Sequence, residues 1–215
     1  MDPYQAERER MVANQITQRG ISDERVLEAM HRVPRHLFVP EESRDYAYRD
    51  APVRIGSGQT ISQPYIVALM TALLKLKADH RVLDVGTGSG YQAAILGEMG
   101  AQVFTIERHP DLAVRAEGLL QELGYLNIRV VVGDGTQGLE AFAPFDRILV
   151  AAAAPSVPEP LLDQLAAGGR LVIPVGGRFG QNLEIWVKQE EGFQRIQEIG
   201  VMFVPLVGEY GWKSA

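Results

Sequence analysis

VLDVGTGSGYQAAIL, residues 82–96, sets a short apolar run, a cluster of glycines and a second apolar run side by side. The stretch predicts a strand, a tight turn and a helix, the arrangement that brings a nucleotide-like ligand to the carboxyl end of a parallel strand. Its glycines are Gly86, Gly88 and Gly90. A dinucleotide fingerprint would need its last glycine where Tyr91 stands, which argues against a nicotinamide coenzyme. Asp84, just before the turn, puts negative charge close to where a pyrophosphate would lie. It disfavours an anionic ligand and suits a cationic one.

The same kind of apolar run recurs as RVLDV (81–85), QVFTI (102–106), IRVVV (128–132), RILVAAA (147–153) and RLVIPV (170–175), with helical segments such as PDLAVRAEGLLQELG between them. Strands without polar alternation, joined by helices, predict a parallel sheet covered on both faces. Residues 183–199 instead alternate apolar and polar around Glu190-Glu191-Gly192, a hairpin signal, so antiparallel strands are expected to finish the sheet. Upstream, Met11, Val12 and Ile16 have helical spacing up to Gly20, and Ser22 is the expected cap of a second helix, DERVLEAMHRV, that Pro34 ends. The expected fold is α/β: a doubly wound, Rossmann-like sheet with added N-terminal helices. It forms one domain, 1–215, with a helical, substrate-side part (1–63) and a sheet core (64–215).

At 215 residues, 46% hydrophobic and 22% charged, the chain suits one packed domain. A net charge of -6 argues against general affinity for nucleic acid. No apolar run reaches membrane-span length and the first residues are too polar for a signal peptide, so a cytoplasmic protein without a membrane partner is expected. The absence of cysteine excludes disulfides and thiolate chemistry. No histidine pair has metal-ligand spacing, and no metal is expected.

The ends of the next two strands extend the site. Glu107 can accept hydrogen bonds from both hydroxyls of a ribose. In GDG (133–135), Asp134 can accept from the exocyclic amine of an adenine while Gly135 lets backbone approach the ring. Each has a structural alternative: Asp84 as a cap, Glu107 as a solvated strand end, Asp134-Gly135 as a turn. Their order along three strands, with DVGTGSG, resembles the S-adenosylmethionine-dependent methyltransferases of Rossmann-like fold. The resemblance implies S-adenosyl-L-methionine as cofactor and S-adenosyl-L-homocysteine as product.

Methylating a hydroxyl, amine or carbon generally needs a base, and the four histidines, His31, His36, His80 and His109, are poorly placed for it. A carboxylate needs none, because at pH 7 it is almost wholly ionised. GQTISQPYIVALM (58–70) offers a place for one. Pro64 marks the first helical position, so Ser62 and Gln63 stand at a helix entrance whose free N–H groups and dipole favour an anion. The alternative, that Ser62 or Thr60 merely caps the helix, stays open on these residues.

MVANQITQRGISDERVLEAMHRVPRHLFVP (11–40), YAYRDAPVRIGSGQTISQPYIVALMT (46–71), FDRILVAAAAPSVPEPLLDQLAAGGRLVIPVG (145–176) and FVPLVG (203–208), with the glycine turn, resemble the protein-L-isoaspartate O-methyltransferases over nearly the whole chain. The resemblance implies methyl esterification of the α-carboxyl of L-isoaspartyl residues in damaged proteins and peptides, with collapse of the ester to a succinimide. It places Ser62 on the acceptor carboxylate and Thr60 and Ile61 along the same strip. The cofactor falls to Asp84, Gly86, Gly88, Glu107, Asp134 and Gly135, and Phe203-Val204-Pro205 backs the peptide. Isoaspartyl chains are the expected partners and a monomer the expected working form. The alternatives are a methyltransferase of the same fold acting on another carboxylate and a non-catalytic S-adenosylmethionine-binding protein.

Overall fold

In the computed structural model, which describes residues 3–213, helix α1 (Gln5–Met11) runs into a π turn, Val12–Ile16, and a 3-10 turn, Thr17–Arg19. Gly20 then closes the segment with φ 92°, a conformation that costs glycine little. Helix α2 (Glu24–Arg32) is capped by Asp23, not by the expected Ser22. The Asp23 carboxylate accepts the N–H groups of Arg25 and Val26 at 3.0 and 3.3 Å, the second and third helical positions that a capping oxygen can reach. The stretch up to residue 63, expected to be helical, also contains a two-stranded antiparallel hairpin. Its strands are β1 (Val53–Gly56) and β2 (Gln59–Ile61), turning through Ser57 and Gly58 with positive φ. The strands are too short for alternation to have announced them.

Helix α3 (Pro64–Leu74) leads into the main sheet. The remaining elements are β3 (Arg81–Val85), α4 (Tyr91–Glu98), β4 (Gln102–Glu107), α5 (Pro110–Glu122), β5 (Ile128–Val132), β6 (Phe145–Val150), α6 (Glu159–Asp163), β7 (Leu165–Gly177), β8 (Gly180–Lys188) and β9 (Phe193–Val201). The sheet order is β5-β4-β3-β6-β7-β8-β9, parallel as far as β7 and antiparallel after it. The hairpin expected over 183–199 is β8 and β9. Strand β6 stops at Val150, short of the expected 153, because Ala153 and Ala154 leave it to form bridges with Pro205 and Val175. Strand β7 extends beyond 170–175 in both directions, its early part joined to β6 only through Leu165 and Phe145.

The uniform apolar character of the central strands follows from their double cover. Val82 and Val103 enter the core shared with α2, α3 and α4, while Leu83, Phe104 and Ile106 enter the core on the opposite face. Successive residues of a strand point to opposite faces, so every position meets protein and none calls for a solvated side chain. The chain order reverses at β3, which pairs with β4 on one side and β6 on the other. Two loops diverge there beyond the carboxyl ends of the strands and leave a crevice between them.

Candidate active site at the carboxyl ends of the parallel strands

The turn after β3 is a run of left-handed glycines, Gly86 (φ 96°), Gly88 (φ 54°) and Gly90 (φ 88°), the last capping α4. It is held to the tip of β4. Gly86 and Thr87 donate their N–H groups to the Ile106 carbonyl at 2.9 and 3.3 Å. Gly88 N–H donates to Glu107 Oε2 at 2.9 Å, and His109 N–H donates to Glu107 Oε1 at 2.9 Å. Each carboxylate oxygen of Glu107 thus carries one protein donor and keeps a lone pair, and the residue lines the crevice. A carboxylate fixed at both oxygens and open toward the crevice suits a vicinal diol.

Asp84 lies behind this wall. It is 0% exposed, and its Oδ2 accepts from Thr105 Oγ1 at 2.8 Å, which itself bonds Thr87 Oγ1 at 2.7 Å. Oδ1 is buried without a partner. Burial pushes its carboxyl up to about 7; the Thr105 hydrogen bond opposes the rise and the Glu107 charge adds to it. Two acids next to a glycine turn, one with an orphaned buried oxygen, fit a ligand that is cationic and carries a ribose. This donor set therefore suits S-adenosylmethionine, whose sulfonium and ammonium groups are positive.

Thr60, Ile61, Ser62, Gly86, Gly88 and Glu107 all line one crevice, roofed by Phe203 and Val204. Ser62 follows β2 and precedes the helix cap, Gln63, whose side chain makes no capping bond. The capping alternative is thus not realised: among the described residues the Ser62 hydroxyl has no hydrogen-bond partner, and its carbonyl accepts from an Arg35 Nη at 2.6 Å. Asp134 sits in an adjoining groove with Arg108, Gly208 and Trp212. Its Oδ1 accepts from Thr136 N–H and Oγ1 at 2.9 and 2.7 Å, and its Oδ2 accepts Glu209 N–H at 2.7 Å. Burial acts to raise this carboxyl, but the Glu209 and Thr136 hydrogen bonds, with Arg108, outweigh it and hold it below the usual range. One lone pair of Oδ2 is left for an outside donor. Gly135 is buried beneath β3, where an added Cβ would come within 2.5 Å of Val85 Cγ1.

Sequence reasoning missed several lining residues. Gln92 reaches the crevice from α4 while its Nε2 donates to Thr71 Oγ1 at 2.9 Å. A glutamine inside YQAAIL, an otherwise buried helix, was the available signal. Tyr91, which vetoed the dinucleotide fingerprint, also lines the crevice, as do Val67 and Met70 of α3.

A doubly wound sheet with a glycine turn, a strand-end carboxylate and an acidic, cation-seeking pocket at its switch point defines a methyltransferase of the S-adenosylmethionine-dependent class. Comparison with known proteins narrows it. The family model for protein-L-isoaspartate(D-aspartate) O-methyltransferase matches residues 6–211. A protein-L-isoaspartate O-methyltransferase of Methanoculleus marisnigri is 56% identical over 213 residues, covering 99% of this chain and 97% of the relative. Protein-L-isoaspartate O-methyltransferase 1 of Syntrophobacter fumaroxidans is 56% identical over 98% of this chain and 99% of its own. A Plasmodium falciparum structure in complex with S-adenosyl-L-homocysteine superposes with a TM-score of 0.81 at 30% identity, covering 96% of this chain and 99% of its own. The chain belongs to the protein-L-isoaspartate(D-aspartate) O-methyltransferase family.

Proposed function

We propose that the protein transfers a methyl group from S-adenosyl-L-methionine to the α-carboxyl of L-isoaspartyl residues in damaged proteins and peptides, a repair reaction. The observation that carries the acceptor assignment is the uncommitted hydroxyl of Ser62, in the same crevice as Glu107 and the glycine turn. Membership of the family supports the substrate class.

Bound S-adenosylmethionine supplies an electrophilic methyl group on a positively charged sulfur. The chain's part is to bind, align and dry the reactants. Glu107 accepts from the ribose hydroxyls, Gly86 and Gly88 let backbone approach, and Asp134 and Gly135 receive the base. Asp84, behind Thr87, keeps its proton up to about pH 7 in the free protein, and the positive charge of the cofactor would favour its ionised form. Ser62 donates one neutral hydrogen bond to the acceptor carboxylate, which orients the nucleophile without quenching it, and Thr60 and Ile61 shape the strip beside it. No base is required, since the attacking oxygen is already ionised. Opposite charges meet and are consumed, so the apolar cover of Phe203 and Val204 favours the step, and alignment alone is worth several kcal/mol.

The same reading has the protein act as a monomer in the cytoplasm on peptide segments in extended form, with neither nucleic acid nor membrane as partner. Among the described residues no helix is long and apolar enough to cross a membrane. The test is transfer of a labelled methyl group to matched peptides carrying isoaspartate or aspartate at one position. Base-labile ester on the isoaspartyl peptide alone is expected. Transfer to neither, with cofactor binding intact, would move the function to another acceptor or to binding alone.

A further inference from the structure

Arg35 is the largest side chain among the described residues that is wholly shut off from solvent. Its Nε donates to the Ala47 carbonyl at 2.7 Å and one Nη donates to the Ser62 carbonyl at 2.6 Å. The other Nη is buried without a partner. The guanidinium carbon stands 4.8 Å from the centroid of the Tyr91 ring, which offsets part of the charge. Among the described residues no carboxylate pairs with it. The acid whose field it feels most, Asp50, is already bridged to Arg19 at 2.7 Å.

A buried ion without a counter-ion is costly, and most groups escape the cost by shedding or taking up a proton. Arginine has no such route, because its guanidinium keeps its proton in proteins. The charge therefore persists in the free enzyme. Two residues it touches, Ser62 and Tyr91, both line the crevice where the acceptor is expected. We propose that Arg35 is a positioning residue whose unmatched charge, one residue behind the crevice wall, selects an anionic acceptor, the incoming carboxylate acting as its missing counter-ion while the Arg35–Ser62 bond fixes the acceptor strip.

This inference rests on the proposed acceptor site and has a test that separates the two. With S-adenosyl-L-homocysteine bound, the affinities of two peptides are compared by calorimetry. One carries isoaspartate; the other carries the same residue with its α-carboxylate replaced by a carboxamide. Wild type is expected to favour the carboxylate by at least about tenfold, and Arg35→Met to cut that preference by at least about fivefold, with S-adenosylhomocysteine affinity within about twofold of wild type. Should Arg35→Met fail to fold, Arg35→Gln keeps a donor at the Nε position for the Ala47 carbonyl, drops the charge and carries the same expectation. A purely structural arginine would weaken both peptides equally and leave their ratio unchanged, and that result overturns the inference alone. Failure of wild type to methylate the isoaspartyl peptide overturns the proposed function and this inference with it.

Discussion

Ser62 is one hydroxyl with one task, and its deletion should show that. Ser62→Ala removes a single neutral hydrogen bond, so kcat/KM for an isoaspartyl peptide is expected to fall by about 5- to 30-fold, with S-adenosylhomocysteine affinity within about twofold. Asp134→Ala should do the reverse, weakening the cofactor more than turnover at saturation. Steady-state kinetics beside titration calorimetry separates the two, and equal loss of cofactor affinity in both variants would sink the assignments. Asp84 makes a different prediction. Its folded-state carboxyl, raised to about 7, holds a proton that the unfolded chain has released above the ordinary value of 3.8. In that window the folded state binds more protons, so stability of the free protein should decline as pH rises through it, by on the order of a few kcal/mol from this group. Asp84→Asn should flatten that part of the profile in urea unfolding at the two ends of the window. A variant as steep as wild type would show that Asp84 ionises normally. The glycines, Glu107 and Ser62 were legible in sequence because strand ends and helix entrances are marked by composition. Arg35 was not: VPRHLFVP reads as an ordinary basic stretch, and only the fold reveals that its guanidinium is walled in.

At the scale of elements, the runs 81–85 and 128–132 coincide with β3 and β5; the central β3 owes its uninterrupted apolar signature to cover on both faces, whereas β5 is an edge strand with Arg129 and Val132 exposed and was marked by its β-branched run alone. Departures arose where a boundary depends on local hydrogen bonding instead of burial. Ser22 and Asp23 are both good caps, and the choice between them is made by which carries the extended backbone; Asp23 has ψ 108°. Asp23→Ala is accordingly expected to destabilise the protein by about 1 kcal/mol, and Ser22→Ala by much less, read from denaturant midpoints. Equal effects would return the cap to Ser22. The β1–β2 hairpin escaped notice for another reason. It contributes little burial of its own, and only Ile55 and Ile61 are buried among its strand residues. Yet it delivers the Thr60-Ile61-Ser62 strip to the crevice, so the weakest signal in the chain carries one wall of the site.

Over the whole molecule, the sheet presents its switch point between two segments outside the central strands: the N-terminal layer with its hairpin and the segment after β9. Alternation of strand and helix along the chain indicated a doubly wound sheet, and the β8–β9 hairpin was legible in the apolar-polar alternation of 183–199, but lateral order is a property of long-range packing, so the place of that hairpin beside β7 could not be read from local pattern. The closing segment is tied down in detail. Glu209 N–H holds Asp134, Trp212 Nε1 donates to the Ala153 carbonyl at 3.1 Å, and Trp212 N–H donates to the Leu206 carbonyl at 2.8 Å. A chain leaving the ribosome N-terminus first completes every strand of its sheet before Glu209 emerges. Until then the carboxylate assigned to the adenine has its Thr136 bonds on Oδ1 but lacks the Glu209 donor on Oδ2, so a nascent chain can have its architecture in place and still be unready for its coenzyme.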